Sequence, residues 1–435
     1  MQPSAQRPLW QGRPLPDLPP AAGMHEAETV VVGGGIAGLS TALHLARSGQ
    51  DVIVLNAGTA MGLATRASAG IIAGQPVRNT PDSLIKRLGR EEGQRLIGAI
   101  AASARETRAL IQDEELRCDL MPNGFLAPFF GTGQRERAVV ESWRPWRQDV
   151  SLLDKAQTAF LSGCSGYAGA VLDASGGALD PAAYADELAR RIIKHGGRIH
   201  NGTQVTAVTR QEGQGALRWQ VSFASGMARA RARNVILAAN GGNPMLHRAL
   251  RHSVLPLPVL EVATAPLAAH LQQHILPQRH ALTDLATDVF SIRFDTHGHL
   301  ITAAPAPDHL DWSQIERTIN TRLEKAIPGW EYTPLASAWT GTAWLRSDCI
   351  ARMPILDEGL LAIQACNGRG LAINTLAGHD AAAWILSGGR DRPRLPTGRP
   401  PAIPGFALAR HIPRLIMGAA RLTARLKQMT GAKSA

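Results

Sequence analysis

Cysteine is scarce in this sequence: 4 among 435 residues, at positions 118, 164, 349 and 366. No two of them make a CxxC pair or a zinc-ligand spacing, so neither a disulfide framework nor a metal site is expected. A long chain with so few thiols suits a reducing compartment. Long apolar runs are missing as well. No stretch of about 18 apolar residues occurs, which excludes an ordinary membrane-spanning helix. The opening MQPSAQRPLWQGRPLPDLPPAAG also lacks the continuous apolar core of a signal peptide. A cytoplasmic location is the expectation.

Evenly spread positive charge is lacking too, despite a net charge of +11. From Arg390 to Ala435 ten Lys/Arg stand against one acid, Asp391, so the tail holds +9 and the first 389 residues only +2. A basic nucleic-acid groove across the body is therefore not expected. Within the tail, Leu408, Ile412, Leu415, Ile416, Ala419, Leu422 and Leu426 recur at helical spacing, with Arg410, Arg414, Arg421, Arg425 and Lys427 between them. Such a basic amphipathic helix fits peripheral contact with the inner face of a membrane. It also fits a terminal helix packed on its own domain, the reading that Pro413 favours.

Glycine, by contrast, is abundant, at 43 of 435 residues and without a collagen period, as in an α/β protein with many tight turns. Residues 1–24 hold six prolines and read as an extended, poorly ordered lead-in. TVVVGGG then has the form of a strand buried on both faces, IAGLSTALHLARSG that of a helix, and DVIVLNAG that of a second strand. Strand, helix and strand within about thirty residues make a βαβ unit with parallel strands. Asp180 and Pro181 supply an N-cap and first turn for a helix to about His195. RIHNGTQVTAVTR, LRWQVSF and ARNVILAANGG read as strands, and LLAIQACNGRG as another, followed by the helix LAINTLAGHDAAAWILSG. The dinucleotide-type pieces are thus 25–80, 165–245 and 340–390. Segments 81–164 and 246–339 form a second domain inserted twice, and 391–435 is the basic tail.

Gly33-Gly34-Gly35-Ile36-Ala37-Gly38 satisfies G-x-G-x-x-G between strand and helix. Gly33 permits the tight turn, Gly35 lets backbone approach a pyrophosphate, and Gly38 lets the helix pack on the strand. The helix N-terminus offers its free N–H groups and positive dipole end to phosphate. The acid expected about twenty residues on, to grip the ribose, is replaced by Asn56. An amide both donates and accepts but carries no charge.

At this point the chain resembles the FAD-dependent oxidoreductases of the D-amino-acid oxidase superfamily, in particular the gamma-glutamylputrescine oxidase-like branch. The likeness runs through PLWQGRPLPDLPP, TVVVGGGIAGLSTALHLARSGQDVIVLNAG, GALDPAAYADELARRIIKHGGRIHNGTQVTAV, NVILAANGG, AWTGTAWLRSDCIARMPIL and ACNGRGLAINTLAG. The resemblance implies a Rossmann-like FAD-binding domain and an interleaved α+β substrate domain with an antiparallel sheet. It implies FAD as cofactor, with Gly33, Gly35, Ile36, Ala37 and Gly38 at the pyrophosphate and Asn56 at the ribose. The family's Gly-Ala-Ser-Gly-Arg-Asn-Gly-Gly loop matches residues 63–70, keeping Ala64, a hydroxyl at Thr65 and Gly70; Ser68 stands for the family's Asn, and the Arg is absent in register. Val205 matches the strand pairing with adenine, and Ala239-Asn240-Gly241 the turn near the ADP part. Asn367-Gly368-Arg369-Gly370-Leu371 matches the loop bordering the flavin ring.

The reaction implied is oxidation of a C–N bond in an amine or amino-acid derivative, by hydride transfer to flavin N5 and hydrolysis of the imine. Members resembling glycine oxidase place an Arg four residues after a Trp to take a substrate carboxylate. Aligned on Trp339, Gly341 and Asp348, that position is Ala343, which disfavours a simple α-amino acid held in this way. Arg346 and Arg369 are the substrate-facing candidates, with a pairing of Arg346 to Asp348 as the alternative for the former. Members resembling sarcosine oxidase use a Lys over the flavin for oxygen. No lysine occurs between Lys194 and Lys325, which favours a dehydrogenase passing electrons to a carrier or quinone. Two rivals stay open: an NAD-dependent dehydrogenase, and a flavoprotein subunit that is non-catalytic or only transfers electrons.

Overall fold

The computed structural model describes residues 8–211, 217–224, 226, 228–284, 290–307 and 311–411. Strand Met24–Val32 is half-exposed at its start and continuously buried over its last four residues. It lies at the centre of a parallel array ordered Leu360–Ala362, Arg229–Leu237, Met24–Val32, Val52–Leu55, Arg198–His200. Burial on both faces explains why these strands read as unbroken apolar runs. Val205–Arg210 and Trp219–Phe223 add an antiparallel flap on Arg229–Leu237.

Helices Ile36–Arg47, Pro181–Lys194 and Gly370–Leu386 share one apolar core with the parallel strands. Asp180 caps its helix as its spacing predicts, accepting from the Ala182 and Ala183 amides at 2.8 and 2.9 Å. Helix Gly370–Leu386 approaches Ile36–Arg47 closely at Gly378, where a Cβ would lie 2.7 Å from the Ala37 carbonyl oxygen. Ser40 Oγ donates across that seam to the Thr375 carbonyl at 2.7 Å.

A second sheet has eight strands among the described residues, ordered Leu335–Leu345, Leu255–Pro266, His299–Pro305, Phe290–Phe294, Ala281–Asp284, Phe125–Phe129, Gly169–Asp173, Val150–Leu153. All neighbours are antiparallel except Ala281–Asp284 against Phe125–Phe129. Strand alternation gives this sheet two characters. Leu126, Leu260, Val262, Leu282, Ile292 and Leu300 pack against Ile315, Ile319 and Leu323 of helix Trp312–Ala326. The opposite face turns toward the parallel-sheet unit.

Three boundaries fall elsewhere than periodicity placed them. Strand Gly169–Asp173, inside the 165–245 segment, belongs to the second sheet, and strand Leu335–Leu345 runs unbroken across position 340. Helix Arg90–Asp113, inside 81–164, gives Leu96, Ile97, Ile100 and Ala104 to the core of the parallel unit. A helix that follows another helix and leads into a strand of the second sheet carries no βαβ signature, which is why periodicity assigns it away from the parallel unit. Residues 8–23 of the lead-in are also packed rather than loose. Trp10 and Ala21 are buried, the Arg13 amide donates to Asp186 at 2.8 Å, and the Ala21 amide donates to Thr203 Oγ1 at 2.9 Å. Of the proposed tail helix, Phe406–Ala409 is helical, and residues 412–435 lie outside the described residues.

Candidate cofactor and substrate site

The glycine run occupies the turn between Met24–Val32 and Ile36–Arg47, and its three glycines meet different constraints. Gly33 has φ +117°, and a Cβ there would sit 2.6 Å from the Ala238 carbonyl oxygen, just past the end of the neighbouring parallel strand. A Cβ on Gly38 would overlap the Gly33 carbonyl oxygen, so this glycine sets the helix against the turn. Gly35 is different: its nearest neighbour to a Cβ would be Thr65 Oγ1 at 3.8 Å. That is a cradle open on one side, at a helix start with no side-chain cap and no acid in the first turn. The first-turn amides of Ile36, Ala37 and Gly38 have no acceptors within the helix, and they are the donors a pyrophosphate needs.

Asn56 closes off what a ribose would meet next. Its Nδ2 donates to the Gly58 carbonyl at 3.0 Å, the Ala60 carbonyl at 2.9 Å and Asn201 Oδ1 at 2.8 Å. Its Oδ1 faces Gly34. An aspartate carboxylate in place of this amide would confront these oxygens. At most Oδ1 is left for a ribose hydroxyl. Val205 begins the flap and, half-buried, packs against the apolar cluster that holds Val30, Val221 and Val235.

The Ala239-Asn240-Gly241 turn leaves the end of Arg229–Leu237 with Asn240 at φ 50°. It is fixed by a residue the sequence reading passed over. The buried Asn243 accepts from the Ala239 amide at 2.8 Å and donates to the Leu237 and Ile363 carbonyls at 3.1 and 2.9 Å. Its only sequence signal was an Asn-Pro step after two glycines. Gly241 is pressed against the Trp344 ring, with no room for a Cβ.

Of residues 63–70, Leu63–Arg66 form a short helix and 67–70 a tightly clamped loop, although the motif is altered. The Ala67 carbonyl accepts from Trp339 Nε1 at 3.2 Å, the Ser68 carbonyl from Trp10 Nε1 at 3.1 Å, and the Ala69 carbonyl from Arg293 Nε. Thr65 is buried beside Gly35, and its carbonyl accepts from Ser68 Oγ at 2.8 Å. Gly70, at φ +70°, presses on the Leu179 carbonyl. Arg293 also donates to the Leu179 and Phe294 carbonyls and lies 4.6 Å from the Trp10 ring centre. Burial lowers its pKa to about 10, with Asp295, Asp180 and Glu261 opposing that shift. Neither Trp10 nor Arg293 stood out in sequence.

The two arginine candidates separate. Arg346 is 2% exposed and donates to Asp348 Oδ1 at 3.1 Å and to the Ser253 carbonyl at 3.3 Å, while Asn367 Oδ1 accepts from its backbone amide at 2.9 Å. It braces the Asn367 loop rather than offering a free guanidinium. Arg369, at the start of helix Gly370–Leu386, stacks 5.0 Å from the centre of the Phe125 ring. Burial lowers its pKa to about 10, opposed by Asp173. It borders a small cavity with Ala73, Gln75, Cys366 and Asn367.

The profile of the family described as "DAO: FAD dependent oxidoreductase" matches residues 28–384. The chain belongs to this family. Its fold is accordingly the Rossmann-like FAD-binding unit with a second α+β domain, and its cofactor is FAD, whose pyrophosphate the open Gly35 cradle fits. Among curated relatives, the gamma-glutamylputrescine oxidoreductase of Escherichia coli is 27% identical over 378 residues, covering 84% of each chain. The solved glycine oxidase from Geobacillus kaustophilus superposes with TM-score 0.68 at 17% identity, over 83% of this chain and 95% of that one. The L-proline dehydrogenase from P. horikoshii gives TM-score 0.68 at 16% identity, over 84% and 93%. Among the described residues no helix is long and apolar enough to cross a membrane, and no cluster of His, Cys, Asp and Glu could hold a metal ion.

Proposed function

We propose that the protein oxidises the C–N bond of an amine or amino-acid derivative. When bound, FAD supplies a two-electron acceptor for a carbon beside nitrogen, the product being an imine that water hydrolyses. In this reading Gly33, Gly35 and Gly38 with the first-turn amides hold the phosphates. The clamped 67–70 loop and the Asn367–Leu371 loop border the reacting end, and the second sheet walls the substrate.

The observation that carries the amine reading is Ala343. It stands on strand Leu335–Leu345 at even spacing from Trp339 and Gly341, on the face that meets Ala67. No guanidinium is supplied there for an α-carboxylate. The near full-length similarity to a gamma-glutamylputrescine oxidoreductase supports the same choice. Strands Leu255–Pro266, Ala281–Asp284, Phe290–Phe294 and His299–Pro305 contain no lysine, which supports a carrier or quinone over oxygen as acceptor. The test is product analysis with a panel of amines and an artificial dye. An aldehyde or ketone should form in step with dye reduction, with little oxygen uptake. Turnover of α-amino acids alone would overturn the reading.

A further inference from the structure

Strand register resolves the face of the second sheet that looks toward the FAD-binding unit. Trp339 pairs with Glu261, Glu261 with Ala303, Thr283 with Ser291, and the row continues toward Ala127. The next row holds Ser337, Ala263, Ile301, Arg293, Ala281 and Phe125. That second row is already in contact: Arg293 donates to the Ala69 carbonyl and Phe125 lies under Arg369. The first row is composed of small side chains apart from Trp339 at its edge, which donates to the Ala67 carbonyl. It carries one ionisable group, Glu261.

Glu261 is 7% exposed, and its Oε2 has no hydrogen-bond partner among the described residues. Buried carboxyls are ordinarily paired or hydrogen-bonded. Arg293 does not fill that role, because its guanidinium donates to the carbonyls of Ala69, Leu179 and Phe294. An unpartnered buried carboxyl beside small residues, on the wall where Ala343 offers no cation, has the polarity to receive a positive group.

We infer that Glu261 is the residue that takes the ammonium group of the substrate, making the site selective for cationic amines. The assignment rests on the amine reading above and adds its recognition residue. Burial pushes the Glu261 carboxyl up to about 8, with Arg293 opposing the shift. The other titratable groups on this sheet face are Arg293, Asp173, which lies in register with Phe125 and is ion-paired with Arg147, and His299, whose Nδ1 meets the Thr264 carbonyl at 2.7 Å. An arriving ammonium therefore meets a largely protonated carboxyl at neutral pH and displaces its proton.

The test uses the holoenzyme and tert-butylammonium, which has no hydrogen on the carbon bonded to nitrogen and cannot be oxidised. Binding is followed as a saturable change in the flavin spectrum, with tert-butanol as neutral isostere. Glu261→Gln should weaken tert-butylammonium by about tenfold or more and leave tert-butanol unchanged. Equal affinity of wild type and variant for the cation, or no saturable binding to wild type, overturns the assignment. Should the variant lose its flavin, wild type supplies a second readout. Calorimetry at pH 7 in buffers of differing ionisation heat should show about one proton released per cation bound, and no release overturns the assignment equally. Failure of the amine reading is distinct: oxidisable amines would bind and leave the flavin oxidised.

Discussion

Replacing Gly35 by alanine separates cofactor binding from folding more cleanly than any other change in the glycine run. The backbone at Gly35 is extended, with φ −85° and ψ 177°, so alanine is not strained there. Its methyl would meet nothing nearer than Thr65 Oγ1 at 3.8 Å. The apoprotein should therefore melt within about 1 kcal/mol of wild type, since reduced unfolded-chain freedom and a poorer N-cap nearly offset each other. The methyl does occupy the side from which a phosphate must approach. Overpacking of one such group costs about 1–3 kcal/mol, or roughly 5- to 150-fold in FAD affinity at 1.36 kcal/mol per decade. Gly38→Ala is the contrast, because its Cβ overlaps the Gly33 carbonyl oxygen and should lower the melting temperature of the apoprotein itself. The assay is FAD titration of deflavinated protein by fluorescence quenching, alongside apoprotein melting. Gly35→Ala binding FAD as tightly as wild type would refute the cradle.

Asn56→Asp places a carboxylate oxygen against the Gly58 and Ala60 carbonyls and Asn201 Oδ1. It should lose about 2 kcal/mol of stability without tightening FAD, and tighter binding in a flavin titration would contradict the assigned contacts. Trp10→Ala removes the bond to the Ser68 carbonyl and the ring beside Arg293, so about 3 kcal/mol of stability should go, with faster FAD release in a stopped-flow chase; an unchanged release rate argues against the clamp. Burial, with His379 and Arg47 nearby, lowers the His44 pKa to about 3. The unfolded chain binds that proton below about pH 6.5, so the His44 contribution to stability falls as pH drops from 6.5 toward 3. At pH 5 the loss is about 1–2 kcal/mol, and His44→Gln should flatten that limb of a pH–denaturation profile.

What was legible in the sequence depended on how local its cause was. The turn at Gly33, the helix after it and the cap at Asp180 are set by residues within a few positions of each other, and spacing alone placed them. The meaning of Asn56 was not legible, because one of the oxygens around its amide belongs to Asn201, far along the chain. The same holds for the 67–70 loop, whose carbonyls are held by side chains at 10, 293 and 339. The proline-rich lead-in read as loose because extended chain has no internal bonds, yet its bonds run to Asp186 and Thr203. Glu261 sits in an apolar strand, and only the register of its neighbours shows that the carboxyl faces inward.

The most direct measurement of the central claim is the absorption near 450 nm of the purified holoenzyme, mixed anaerobically with amines and amino acids in turn. The expected result is a yellow protein that at least one amine bleaches, while simple α-amino acids leave the band standing. A protein that takes up no FAD, or one whose band survives every amine offered, would contradict it.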